Sequence, residues 1–182
     1  RDMRSKRILI TGCSSGGKTS LIDALDRRGF QTVPEPGRRI IAEERAIHGT
    51  ALPWIDPAAF AQRAVQMALD DLASTADVNC VTFFDRGLID AAVASDFAGG
   101  ASYSVLLGRK LHYANPVFLV PPRPEIFEQD KDRQHGFTSA EAEYARLVEA
   151  LSTLGYDTCI LPKVPVHDPV AAIIARLGLQ ET

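Results

Sequence analysis

The chain has 182 residues, 46% of them hydrophobic and 24% charged, with a formal net charge of −3. That length suits one compact domain burying roughly 70% of its unfolded surface, and the composition excludes an intrinsically disordered chain. The charge excludes the basic field that wraps nucleic acid. No apolar run reaches the roughly 20 residues of a membrane span, and no signal-like apolar core precedes the first strand, so a cytoplasmic protein is expected.

In chain order, short apolar runs at Ile8–Thr11, Phe30–Val33 (the weakest), Val78–Phe84, Val117–Val120 and Cys159–Leu161 read as strands. Segments of helical period lie between them. Asp56-Pro57 opens one through Phe60, Ala64, Met67, Ala68 and Leu72. Thr138-Ser-Ala-Glu141 reads as a capping box opening a helix to about Leu154, closed by Gly155. Asp168 caps and Pro169 begins a last helix through Val170, Ile173, Ile174 and Leu177, stopped by Gly178. Strands alternating with helices predict a three-layer α/β fold, a mostly parallel sheet covered on both faces. Neither repeats nor low-complexity tracts interrupt it. Cys13, Cys80 and Cys159 form no CxxC pair; the latter two fall in strand-like runs and are expected to be buried, reduced thiols.

The strongest chemical signal is Gly12-Cys-Ser-Ser-Gly-Gly-Lys18-Thr19, which fits G-x-x-x-x-G-K-[ST] and stands between a strand and a helix. Gly12, Gly16 and Gly17 allow a tight turn whose backbone N–H groups, with the Ser14, Ser15 and Ser20 hydroxyls beside them, face phosphate oxygens. The helix N-terminus adds partial positive charge. Lys18 is expected to reach the β and γ phosphates of ATP, and Thr19 to offer its hydroxyl to Mg²⁺.

In an open α/β sheet ligands bind outside the carboxyl ends of the strands, so the residues that follow each strand are the next candidates. Pro34-Glu35-Pro36 holds the chain extended around Glu35, a candidate general base or metal-shell ligand set against a solvated turn glutamate. Phe83-Phe84-Asp85 ends an apolar run in an acid, the Walker B pattern, so Asp85 is a candidate for the Mg²⁺ shell. Arg86 is a candidate clamp on a substrate oxygen. Pro121–Gly136, proline-rich and then charged, reads as a loop that closes over the triphosphate. It forms a lid of about residues 121–137 carrying Arg123, Lys131 and Arg133, with Arg133 the preferred catalytic cation. The helix at 56–75 and the segment around Trp54 are expected to wall the acceptor pocket, where Trp54 is either a stacking platform or, as a lone tryptophan more often is, a core or rim residue.

The stretches "ILITGCSSGGKTSL", "VPEPGRRI", "FFDRGLIDAA" and "VFLVPP" with the charged "EQDKDR" resemble the AAA-ATPase-like branch of P-loop kinases. That branch is related to bacterial ribosylnicotinamide kinase domains and, more distantly, to deoxyribonucleoside kinases. The resemblance covers nearly the whole chain from Lys6. It implies a five-stranded parallel sheet in the order 2-3-1-4-5 with a lid, and Glu35 as the base that deprotonates a substrate hydroxyl. Asp85-Arg86-Gly87 stands where deoxyribonucleoside kinases have Glu-Arg-Ser, a departure that bears on the substrate. Arg38 and Arg39 either face the substrate or begin a solvated helix.

The reading that follows is ATP- and Mg²⁺-dependent phosphoryl transfer to a small nucleoside- or nucleotide-like acceptor. Its alternative is a P-loop NTPase acting as a switch or on a macromolecular partner. The Asn-Lys-x-Asp of guanine-specific GTPases and the Leu-Ser-Gly-Gly-Gln of transporter ATPases are both absent. A non-catalytic nucleotide-binding module is the third possibility, against which Lys18, Thr19 and Asp85 all argue.

Overall fold

The computed structural model describes residues 6–12, 18–76, 79–123, 131–161 and 169–179, without the side chains of 19, 131–135 and 169. Five strands form one sheet: β1 (Arg7–Gly12), β2 (Gln31–Val33), β3 (Thr82–Asp85), β4 (Val117–Val120) and β5 (Thr158–Ile160). Their spatial order is β2-β3-β1-β4-β5 and every pairing is parallel. This is the order the resemblance implied. The central strand β1 sets Ile10 opposite both Asp85 and Phe118.

Strand periodicity explains the three layers. Successive side chains point to opposite faces, so Ile8 and Ile10 enter one core while Leu9 enters the other; Phe83 and Phe84, and Phe118 and Leu119, divide likewise. The Ile8 face is covered by α1 (Lys18–Arg27), through Leu21, Ile22 and Leu25, and by α7 (Pro169–Leu177), through Val170, Ile173 and Ile174. The Leu9 face is covered by α3 (Pro57–Ser74), α4 (Leu88–Phe97), the short α5 (Tyr103–Leu107) and α6 (Lys131–Thr153). The remaining helix, α2 (Pro36–Ala46), packs on α3 through Ile40 and Ala64.

Local signals place several helix ends. Asp56 caps α3 by accepting from the Ala59 N–H at 3.1 Å, with Pro57 at the first turn. Gly155 and Gly178, at φ 83 and 65, close α6 and α7 in the left-handed conformation that glycine adopts at little cost. Asp168 lies outside the described residues.

Four expectations are corrected. The helix α6 begins at Lys131, so Thr138 is inside it and opens nothing. Lys, Arg and Gln are good helix formers, and a single Gly136 costs only about 1 kcal/mol. Residues 131–137 of the expected lid loop are therefore helical, while 124–130 lie outside the described residues. The third strand starts at Thr82 rather than Val78, and Cys80 is exposed before it, while Cys159 is half-buried. For Trp54 no correction is needed: of its alternatives the rim holds, since it is 59% exposed with the Arg45 guanidinium 5.5 Å from its ring centroid.

Gly12 ends β1 at φ +116, and a Cβ there would lie 2.2 Å from the Val120 carbonyl oxygen on the adjacent strand. Both the backbone angle and the neighbouring backbone exclude a side chain. Gly12→Ala is expected to cost at least about 2 kcal/mol of stability, read as a lower denaturant midpoint; an unchanged midpoint would show that β1 and β4 can separate freely.

Candidate active site

The carboxyl ends of β1, β2 and β3 bring the sequence candidates together. Lys18 opens α1 just beyond β1, and its side chain is fully buried with Nζ 3.0 Å from Asp85 Oδ1 at the end of β3. Neither atom has a partner in hydrogen-bond geometry among the described residues. They form a close ion pair sealed from water, a donor and an acceptor each with bonding capacity left over. Cys13, Ser14, Ser15, Gly16 and Gly17 lie outside the described residues; Thr19 is described only by its helical backbone, and Ser20 is exposed in α1.

Glu35 stands at the N-cap of α2 with φ −55 and ψ 126, the extended geometry its flanking prolines favour. Its side chain is 12% exposed, Oε1 is 3.8 Å from Arg86 Nη1, and the buried Oε2 has no hydrogen-bond partner among the described residues. Arg38 Nε approaches Oε2 at 3.6 Å from an exposed position. Arg39 turns away, paired with Asp71 and donating to the Pro34 carbonyl at 3.0 Å. Of the two arginines, Arg39 is structural.

Arg86 adopts φ 55, a left-handed conformation that is costly for a residue with a side chain. Two bonds hold it there. Its N–H donates to the Ile10 carbonyl at 2.9 Å, extending the β3–β1 ladder, and Nη2 donates to the Gly12 carbonyl at 2.8 Å. Burial opposes its charge, but Asp90, then Glu143, Glu35 and Asp85, outweigh burial and hold the guanidinium above its ordinary pKa.

Asp90 is the residue sequence reasoning missed. From the first turn of α4, Oδ2 accepts from the Gly87 N–H at 3.0 Å, Oδ1 accepts from the buried Thr11 hydroxyl, and the carboxylate faces Arg86. Burial pushes its carboxyl above the usual carboxylate range, against the pull of Arg86, Thr11, Gly87 and Lys18. The visible signal was an acid three residues beyond a glycine that ends a strand, a capping-box spacing. Gly87 itself is required: a Cβ would lie 2.2 Å from the hydroxyl of fully buried Tyr113, which accepts from the Leu88 N–H at 2.9 Å. This contact leaves no room for a side chain at residue 87.

These groups open onto a cleft of about 490 Å³ between α3, α4 and α6, where Phe60, Val93, Phe97 and Leu147 supply apolar wall and Arg86, Asp90 and Glu143 supply charge. A smaller cleft of about 130 Å³ continues past the same three charged residues to Glu35. Pro53, Pro57 and Phe60, at and just before the start of α3, line the larger cleft, and Trp54 does not. The side chain of Arg133 lies outside the described residues; its backbone is in the first turn of α6.

A parallel 2-3-1-4-5 sheet with the phosphate-loop signature after its central strand defines a P-loop protein of kinase-like topology. The chain belongs to the AAA domain family, whose model matches residues 7–168. Its fold is similar to that of the NadR protein in complex with NR, at 16% identity and a TM-score of 0.66, over 98% of this chain and 51% of that one. The chain thus spans about half the length of NadR. It is also similar to deoxyadenosine kinase from M. mycoides with bound dCTP, at 13% identity and a TM-score of 0.54, over 94% of this chain and 98% of that one. The YorR protein from Bacillus subtilis in complex with phosphorylated GDP follows at 11% identity and 0.51, over 94% and 95%. No curated protein matches the sequence at a significant level. Among the described residues, no helix is long and apolar enough to cross a membrane.

Asp90→Ala is expected to cost about 3 kcal/mol, because it leaves the Gly87 N–H and the buried Thr11 hydroxyl without their acceptor and removes a carboxylate whose charge favours the Arg86 guanidinium. Glu143→Ala, whose side chain is 60% exposed, should stay within about 0.5 kcal/mol. Equal losses in chemical denaturation would show that Asp90 does not organise Arg86.

Proposed function

We propose that the protein is a phosphotransferase that moves the γ-phosphoryl group of ATP to a hydroxyl of a small, nucleoside-like acceptor. The observation that carries this reading is the cleft beside the phosphate-loop strand, where Glu35, Arg86 and Asp90 converge from three different elements. A pure hydrolase needs room for a water; a cleft of about 490 Å³ is the size of a small-molecule site. The bound NR and dCTP in structures of the same fold support a nucleoside-like acceptor.

The residues present fit Mg²⁺ and ATP. Among the described residues, Lys18 Nζ is a buried donor with no acceptor in hydrogen-bond geometry, and Asp85 Oδ1 is a buried acceptor with no donor. A phosphate oxygen would satisfy the first and a hydrated Mg²⁺ the second. Mg²⁺ keeps several waters and is commonly held through one or two protein oxygens plus phosphates, which suits Asp85 and the Thr19 hydroxyl. The backbone of Gly12 to Thr19, with Ser14, Ser15, Gly16, Gly17 and Ser20, would cradle the phosphates. Bound Mg·ATP supplies the transferable phosphoryl group and the charge compensation it needs.

The chain's own groups then divide the work. Glu35 accepts the proton of the acceptor hydroxyl. Arg86 holds that hydroxyl in line, its guanidinium fixed by its bond to the Gly12 carbonyl. Arg133, carried at the start of α6, places a further cation over the phosphates. Transfer of this kind is mostly positioning and electrostatics, so each role is geometric or charge-based.

The test follows the label of γ-phosphate-labelled ATP, with Mg²⁺, into pooled nucleosides, nucleoside monophosphates and nucleoside-like metabolites. Transfer to one member of the pool is expected. Lys18→Ala should remove nearly all of it, and Glu35→Gln should lower kcat by about 10²- to 10⁴-fold. An unchanged rate for Glu35→Gln would remove Glu35 from the mechanism. Label appearing only as free phosphate would favour an NTPase switch with a protein partner.

A further inference from the structure

Arg146 and Phe97 form a stacked pair on the wall of the larger cleft. Both residues line it, and the Arg146 guanidinium lies 3.7 Å from the Phe97 ring centroid, a stacking distance. Phe97 is 68% exposed, so the pair is open to whatever enters the cleft. It stands away from the reacting groups. Asp90 is in the first turn of α4 and Phe97 is its last residue, about 10 Å further along the axis at about 1.5 Å per residue. That span suits a sugar followed by a flat ring.

The other charged side chains of the cleft have opposite charges beside them: Arg86 faces Asp90, Glu143 and Glu35. Arg146 is different. Among the described residues it makes no ion pair and no side-chain hydrogen bond beside its stack on the ring. Glu143, one turn before it on α6, reaches Arg86 at 3.5 Å; Asp96, next to Phe97, accepts from the Tyr103 N–H at 3.1 Å; Glu149, one turn on, is exposed to solvent. Stacking engages only the face of a guanidinium. Its N–H donors lie in the plane and stay available to an acceptor with two oxygens, while the ring restrains the side chain and lowers the entropy lost on binding.

We propose that Arg146 is a specificity-determining cation, selecting acceptors whose flat ring carries a carboxylate at the end remote from the phosphorylated hydroxyl. One guanidinium balances one negative charge, and its fork matches the two oxygens of a carboxylate lying in the plane of a ring. Phe60, Val93 and Leu147 supply apolar surface to the ring itself, while Arg86 and Glu35 keep the hydroxyl-bearing end. A neutral ring of the same shape leaves the guanidinium without a counter-charge, so the cleft separates an acid from its amide. The inference rests on the function proposed above and adds the chemical class of the acceptor.

Equilibrium dialysis against the full chain, with Mg²⁺ and a non-hydrolysable ATP analogue present, compares two ribosides of the same shape: carboxyphenyl riboside and the matching carbamoylphenyl riboside. The unaltered protein is expected to bind the acid about 10-fold more tightly than the amide. Arg146→Met keeps an unbranched apolar side chain beside Phe97 and removes the charge. It should erase the preference by weakening the acid alone, with amide binding unchanged as the sign of an intact cleft. Equal binding of the two ribosides by the unaltered protein, binding of neither, a preference that survives in Arg146→Met, or equal weakening of both in that variant would each overturn the proposal. Labelled ATP separates this contact from the phosphotransfer reading. An acid preference that depends on Arg146, with no label transferred, leaves the contact standing and removes the kinase; label passing to neutral nucleosides as readily as to the acid, undiminished in Arg146→Met, does the reverse.

Discussion

Arg86 is the joint on which the site depends. It occupies a left-handed conformation at the end of β3, and it stays there because its main chain completes the ladder to Ile10 while its guanidinium is bound to the Gly12 carbonyl. Four carboxylates face it, from β3, α4, α6 and the N-cap of α2. A buried guanidinium without them would be strongly destabilising. With them, it fixes the relative positions of four elements at the carboxyl edge of the sheet.

The glycines at either side of this joint are fixed by steric contact. Gly12 lets β1 and β4 approach until nothing fits between the Gly12 Cα and the Val120 carbonyl. Gly87 lets Tyr113 bring its hydroxyl to the Leu88 N–H at the start of α4, which aims Asp90 back at Thr11 and at Arg86. The strand ends thus converge because small residues stand where backbones and a buried ring come close. The charges are arranged on that frame.

The cleft is asymmetric, and the asymmetry has chemical content. At the sheet edge it carries Glu35, Arg86, Asp90 and Glu143; toward α4 and α6 it is walled by Val93, Phe97 and Leu147. A ligand with a polar, hydroxyl-bearing end and a flat apolar end matches both regions. Phosphoryl transfer requires the reacting oxygen to be held in line with the phosphate, and the polar end lies beside the strand that carries Gly12 and leads into Lys18.

Only the tertiary structure decided that Lys18 pairs with the acid at the end of the third strand; the sequence by itself determined the three-layer sheet, the phosphate-loop signature and the presence of that acid. These are local: alternation along β1, β3 and β4, the fixed spacing from Gly12 to Thr19, the Asp56 cap and the closing glycines act through neighbours in the chain. It did not reveal α4, whose first turns are buried on nearly every side and carry no polar stripe. It misplaced the start of α6, since the Thr138-x-x-Glu141 spacing occurs within a helix as readily as at its end. Only the tertiary structure decided that Glu35 meets Arg86, that Asp90 lies behind them, that Arg39 pairs with Asp71 instead of facing the cleft, and that Trp54 sits outside while Tyr144 sits inside. Those contacts join residues far apart in the chain, and no local propensity encodes which of two arginines, or which of two aromatic rings, the packing of three helices will turn inward.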